Sequence, residues 1–399
     1  MGKNMTLKHL TTTSVRWFGI ILILLLSEGL NASAQQTDST RLRISLLTCS
    51  PGEELYSTFG HTAIRITDST LQSDLVFNYG TFDFEDPSFY LKFVRGKLLY
   101  FLSSEEYADF AYYYRMTNRS MTEQVLIMDP SEKIALRDAL LDNLQERNKY
   151  YHYDFFFDNC TTRPLGLLKK YRIALPALPD AMPAGTTFRQ AIHTYLNQQG
   201  MDWSKFGIDL LLASPTDAVM KPGESQFLPE NLLKSLDSVQ QRQPVYAGRS
   251  TLAPYQVVEP ASSWFTPMKA MIGLALITLF LGWLGTRSAR LQLLAMGWEN
   301  MLWFTTGLLG LIFILMWTAT DHTMCRNNFN LLWAWPTHLL WPFFRLRKTG
   351  WVRWYRFAYL FVISLTLVGW FWWPQQLSSA LIPLLFLLGG LTLRDIRNR

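Results

Sequence analysis

Apolar positions along the chain fall into three regimes. A short unbroken apolar run, residues 18–26, stands behind Lys3, Lys8 and Arg16. From about 35 to 265, apolar and polar residues alternate with the short periods of strands and helices. From Met268 onward, long apolar runs are separated by short polar breaks. In the middle regime, period-two alternation and β-rich composition predict strands at 41–48, 61–67, 74–80, 97–102, 122–128 and through the aromatic run 150–157. Helices are predicted at 86–95, 105–114, 129–147, 165–171, 188–198, 203–212 and 229–239. The clearest begins at Asp129-Pro130-Ser131-Glu132, with Ile134, Leu136, Leu140, Leu141 and Leu144 on its apolar stripe. This order predicts an α+β domain with a small antiparallel sheet.

The last regime holds five apolar segments, at about 268–285, 298–318, 329–344, 357–373 and 377–393. Two are short for a straight span of roughly 20 residues. The third carries Pro336, His338 and Pro342, which predict a kinked or re-entrant path. Basic residues concentrate after the first segment (Arg287, Arg290), after the third (Arg345, Arg347, Lys348, Arg353, Arg356) and in the tail (Arg394, Arg397, Arg399). The positive-inside rule places these stretches in the cytoplasm. An odd number of crossings then leaves the preceding domain outside and the C-terminus inside. The first apolar run leads to Ala32-Ser33-Ala34, a small-x-small cleavage site, so the start reads as a secretory signal peptide. The expected division is a signal peptide over 1–34, an exported domain over 35–242, a linker over 243–265 and a five-span helical domain over 266–399.

The formal charge of +6 is mainly this topology signal. No basic stripe interleaved with aromatics marks a nucleic-acid surface. Cys49, Cys160 and Cys325 are too few for a disulfide framework, and an odd count leaves at least one free thiol. A pairing of Cys49 with either of the others stays open. The outer stretch 320–328 holds His322, Cys325 and Arg326. His322 and Cys325 alone are an incomplete ligand set for a metal. The stretch is expected to pack on the exported domain or to meet a lipid headgroup through Arg326.

Chemistry concentrates at Asp158-Asn159-Cys160-Thr161-Thr162-Arg163-Pro164, between the aromatic run and a helix. A cysteine at a helix start meets free amides and the positive dipole end, which favour the thiolate. Pro164 has no amide and must lie in the first turn, so Cys160 stands just ahead of the helix. Gly60-His61, at the head of a strand, supplies the obvious candidate base; His152 and His193 are rivals. A third group should orient the imidazole. Asn78 and Tyr79 lie on the next strand and point to opposite faces, with Asn78 suited to accept the ring proton and Tyr79 to a core or oxyanion role. Asn159 either donates to an oxyanion beside the Cys160 amide or caps the helix. A buried structural cysteine and a satisfied strand histidine are the plain alternative.

The run 46–65, with Cys49-Ser50-Pro51-Gly52 and Thr58-Phe59-Gly60-His61, resembles the opening signature of the Bacteroidota lipoprotein N-acyltransferases. Asn78-Tyr79-Gly80-Thr81-Phe82-Asp83-Phe84 and Asp158-Asn159-Cys160-Thr161-Thr162-Arg163 are similar to the same family, as are Asn327-Asn328-Phe329-Asn330 and Pro336-Thr337-His338 in the membrane half. The resemblance implies a papain-like exported domain related to NlpC/P60 proteins, in the circularly permuted order with His61 before Cys160. It implies a Cys160–His61 catalytic pair and no metal or diffusible cofactor. Its partners would be a phospholipid acyl donor, a diacylated lipoprotein and the inner membrane, with the catalytic domain in the periplasm. The alternatives on the same scaffold are a cell-wall endopeptidase and a membrane phospholipase or thioesterase.

Overall fold

The computed structural model describes residues 41–172, 175–252 and 263–397. The signal-peptide region 1–34 and residues 253–262 of the expected linker lie outside them. The exported part is built on strands β1 (Leu42–Cys49), β2 (His61–Asp68), β3 (Ser73–Thr81), β4 (Leu99–Glu106), β5 (Met121–Leu126), β6 (Tyr150–His152) and β7 (Tyr246–Leu252). They form one sheet in the order β6-β4-β3-β2-β1-β5-β7, antiparallel throughout. The helices are α1 (Phe89–Val94), α2 (Tyr107–Met116), α3 (Pro130–Asn143), α4 (Thr162–Tyr171), α5 (Phe188–Gln198), α6 (Asp202–Leu211) and α7 (Pro229–Gln240).

Both faces of the central strands are covered, which explains why β1 is buried along nearly its whole length. On one face Ile44, Leu46, Ile64, Phe77 and Leu102 pack with Leu136 and Leu140 of α3, Leu165 and Leu168 of α4, and Leu232 and Leu236 of α7. On the other, Leu47, Cys49, Ala63 and Val76 pack with Phe110, Ala111 and Tyr114 of α2. Each such side chain contributes about 1.5–3 kcal/mol when fully buried.

Two expectations change here. The aromatic run pairs only over Tyr150–His152. Beyond it, Asp154 Oδ1 accepts from the Phe156 and Phe157 amides, and the carboxylate replaces the ladder with a turn. The expected linker instead begins with β7, which pairs along β5 as an edge strand. Its solvent-facing Arg249 and Ser250 hid it from a search for apolar alternation.

The membrane half contains α8 (Pro267–Leu284), α9 (Ala289–Thr318), a short α10 (Trp341–Phe344), α11 (Gly350–Val368) and α12 (Ile382–Arg397). Among the described residues three helical segments, Pro267–Leu284, Ala289–Thr318 and Ser379–Arg397, are long and apolar enough to cross a membrane. The fourth long helix, α11, carries Arg353 and Arg356 in its first two turns. The third apolar segment is a chain of 3-10 turns, Phe329–Leu332 and Pro336–Leu339, before α10. It is held along α9: a Cβ at Gly310 would strike the Ala334 carbonyl, and one at Gly307 the Leu339 amide. Thr306 Oγ1 lies 3.2 Å from His338 Nδ1. Irregular backbone survives in lipid only when protein covers it, and Trp333, Ala334, His338 and Trp341 are all buried. At the end of this segment Arg345 meets Glu299 at 2.5 Å, and Arg394 meets the same carboxylate at 2.6 Å. Arg356 donates to the backbone carbonyls of Asp395 and Arg345.

The exported part is docked firmly on the helices. Asn328 Nδ2 donates to Leu210 O at 2.8 Å, Asn330 Nδ2 to Leu210 O at 3.2 Å, and the Ala213 amide to Met324 O at 2.8 Å. Gln375 Nε2 reaches Leu212 O at 3.4 Å. Behind this seam, fully buried Arg189 binds Asp209 at 2.7 Å and Asp217 at 2.9 Å.

Candidate active site

His61 opens β2 directly after Gly60, whose φ is +79°. A side chain at Gly60 would lie 2.6 Å from the Cys49 carbonyl oxygen, so the tight turn needs glycine. Cys49 is the cross-strand partner of His61. Asn78 sits on neighbouring β3, and His61 Nε2 lies 3.1 Å from its Oδ1. Asn78 Nδ2 donates to Glu105 Oε1 at 2.9 Å. The carboxylate uses the amide nitrogen, so the amide oxygen faces the imidazole and Nε2 carries the proton. Nδ1 is left for the thiol.

Cys160 stands just ahead of α4 and hydrogen-bonds this imidazole. Its turn is fixed by flanking side chains. Asp158 forms a two-pronged ion pair with Arg163, at 2.6 and 2.8 Å, and the guanidinium lies over the Tyr151 ring. Asn159 Oδ1 accepts from the Thr161 and Thr162 amides at 2.7 and 2.9 Å, and its Nδ2 donates to Phe155 O and Phe227 O. Thr161 Oγ1 is 3.1 Å from Thr62 Oγ1, which ties the helix start to β2.

Electrostatics favour charge separation. Burial pushes the Cys160 thiol up, but the His61 charge, hydrogen bonds from His61, the Thr62 amide and Thr161 outweigh it, and its pKa falls below the ordinary thiol value. Burial pushes the His61 imidazole down, but the Cys160 charge and hydrogen bonds to Cys160 and Asn78 raise it overall. Cys49 behaves differently: burial pushes its thiol up to about 12, so it stays protonated. The Tyr153 phenol beside Cys160 is raised by burial and by the neighbouring sulfur. Among the described residues the Cys160 amide has no protein acceptor, so it is open to a developing oxyanion.

The structure brings His61, Asn78 and Cys160 together. It separates the other candidates. Tyr79 points into the opposite core, where its hydroxyl donates to Asn143 Oδ1 at 2.6 Å. Asn159 spends its side chain as the cap of the turn, so it has no donor for an oxyanion. His152 is exposed on edge strand β6, and His193 is bound to Asp209 at 2.7 Å rather than lying free on the surface. His322 Nε2 meets the Phe93 carbonyl at 3.0 Å, and exposed Arg326 lies four residues past the same contact, outside the cluster. All three cysteines are free, so no disulfide joins Cys49 to either of the others. Glu105 was not singled out by sequence: the spacing put it at the start of a helix, whereas β4 runs on through Glu106 and carries it beside β3.

The molecule is thus a two-part membrane protein, an α/β domain with a thiol–imidazole–amide cluster seated on apolar helices. A family model, the Lnb N-terminal periplasmic domain, matches residues 30–194, and a second, the Lnb transmembrane domain, matches residues 259–395. The chain belongs to the Lnb family of lipoprotein-processing membrane proteins, with a periplasmic domain ahead of a transmembrane domain. Searches of curated proteins and of solved structures gave no match.

Proposed function

We propose that this protein is a lipoprotein N-acyltransferase that carries an acyl chain on Cys160. The observation that carries the reading is the depressed Cys160 thiol beside the Asn78-held imidazole of His61, in a domain docked on membrane helices. The thiolate attacks an ester carbonyl of a membrane phospholipid, and the Cys160 amide steadies the oxyanion. The C–O bond breaks, His61 gives its proton to the departing lysophospholipid oxygen, and a thioester remains. The α-amino group of an S-diacylglyceryl cysteine then attacks the thioester. The C–S bond breaks, the amine proton passes to His61, and the thiolate is restored. No other residue needs to change charge.

The same reading includes a papain-like ancestry in permuted order, supported by a cysteine at a helix start packed on the sheet that carries the histidine. It also includes five crossings, with the irregular segment 329–344 as the third and the C-terminus in the cytoplasm. Support comes from Arg345, Arg356 and Arg394, which gather around Glu299 and Asp395 at the end of α9 remote from the Asn328 seam.

The test is mass spectrometry of a lipoprotein N-terminus from cells with and without the protein. The expected result is one additional amide-linked acyl chain with the wild type and none with Cys160→Ala. An unchanged acyl count sinks the reading; free fatty acid released without lipoprotein would make it a phospholipase or thioesterase, and cleavage of purified muropeptides an endopeptidase.

A further inference from the structure

We propose that helix α1 and the aromatic residues behind it form the entry by which a phospholipid acyl chain passes from the outer leaflet to Cys160. The inference rests on the acyltransferase reading and adds the route. Helix α1 is clamped to the membrane half: Asp321 N donates to Arg95 O at 3.0 Å, and His322 Nε2 meets Phe93 O at 3.0 Å. A Cβ on Gly96 would lie 3.3 Å from the His322 amide nitrogen. These partners follow within four residues of the end of the 30-residue apolar helix α9, so α1 sits at the outer boundary of the bilayer. There it is apolar on its outward side. Tyr90 is 78% exposed and Leu91 62%, with Phe93 and Val94 exposed beside them. Such a patch on a water-facing surface is rare, and at a membrane boundary it is ordinary.

Behind the patch the apolar surface continues to the thiol. Phe89 of α1 contacts Phe82 at 5.7 Å between ring centroids, with Phe84 against both. Phe82 contacts Tyr100 at 5.4 Å, and Tyr100 stacks on Tyr153 at 4.4 Å. Tyr153 and Cys160 then share the bare backbone of Gly80: a Cβ there would lie 3.3 Å from Tyr153 Cε2 and 3.5 Å from Cys160 Cβ. An ester carbonyl brought to Cys160 drags its alkyl chain out of the bilayer, and every methylene exposed on the way costs free energy. A continuous aromatic surface keeps that chain covered.

The experiment uses the full-length protein in phosphatidylethanolamine/phosphatidylglycerol vesicles, with the Cys160 thioester read by intact-protein mass. Two donors are compared: vesicle phospholipid, and a water-soluble short-chain p-nitrophenyl ester that needs no bilayer. The double variant Tyr90→Asp/Leu91→Asp should lose about tenfold or more of the phospholipid rate and keep the soluble-ester rate. Leu91→Phe, which preserves the apolar surface, should keep both. Equal rates from phospholipid in variant and wild type overturn the entry while leaving the acyltransferase reading intact. Parallel loss with both donors also overturns it, since α1 would then act on the site and not on entry. Failure of the wild type to form a thioester with either donor would instead sink the acyltransferase reading itself.

Discussion

His61 Nε2 lies 3.1 Å from Asn78 Oδ1, and the Asn78 amide nitrogen is itself held by Glu105 at 2.9 Å. The relay fixes which imidazole nitrogen faces Cys160. A hydrogen bond to a charged group is worth about 1.5–3 kcal/mol, which corresponds to roughly 10–150-fold in rate. Asn78→Ala should therefore lower the thioester-forming rate by that factor with little change in thermal stability. Glu105→Gln, which can still accept from Asn78, should fall by less than about tenfold. Wild-type rates in Asn78→Ala would remove Asn78 from the relay.

The thiol and imidazole shifts predict a pH profile. The Cys160 pKa is lowered and the His61 pKa raised, and each shift favours the thiolate–imidazolium form. Alkylation of Cys160 by iodoacetamide should level off at a lower pH than that of an ordinary thiol and decline as pH falls through the depressed thiol value. An ordinary thiol would instead still be climbing toward about 8.5. At the alkaline end, acyl transfer should decline as pH rises through the raised His61 value, because no proton remains for the leaving group. In His61→Ala the alkylation profile should move into the ordinary thiol range. Buried Cys49, protonated up to about 12, should stay silent throughout. A wild-type curve identical to that of free cysteine would contradict the pairing.

Arg189 is fully buried between Asp209 and Asp217, directly behind the seam with the membrane half. Arg189→Met leaves Asp217 without its charge partner and Asp209 with only His193, and breaking a buried pair costs about 3–5 kcal/mol. Thermal unfolding of the detergent-solubilised chain should show a clear loss. A shift no larger than that of a surface substitution such as Lys234→Met would mean the network contributes little.

The irregular third segment depends on close backbone approach. Gly310→Val must push the Ala334 carbonyl aside, and overpacking of this kind costs about 1–3 kcal/mol or more. Folded protein in the membrane should drop. Gly273→Ala, with nothing within 4 Å of the new methyl, should be neutral. Equal yields of the two variants would argue against this packing.

Much of the exported domain was legible because its strands and helices follow their own periods. Strands β1 to β3 and helices α3, α5 and α7 lie within a few residues of where alternation and capping put them. The misses share a cause. Asp154 closes a turn that an all-aromatic run concealed, and β7 owes its place to pairing with β5 and not to its own apolar content. In the same way Asn78 was preferred over Tyr79 because its amide oxygen can accept the ring proton, whereas Glu105 required knowing that β4 lies beside β3. Asn159 shows the limit: its chemistry suits a cap or an oxyanion donor equally, and only its four hydrogen bonds decide for the cap.

The sequence by itself determined the membrane half, the position of a cysteine ahead of a helix and a histidine behind a turn glycine, since composition and local spacing carry those. Only the tertiary structure decided that the cysteine and histidine meet, which of three histidines does so, and that the domain rests on its helices through Asn328 and Asn330 instead of hanging from a tether. Those facts depend on contacts between residues far apart along the chain, and no local period encodes them.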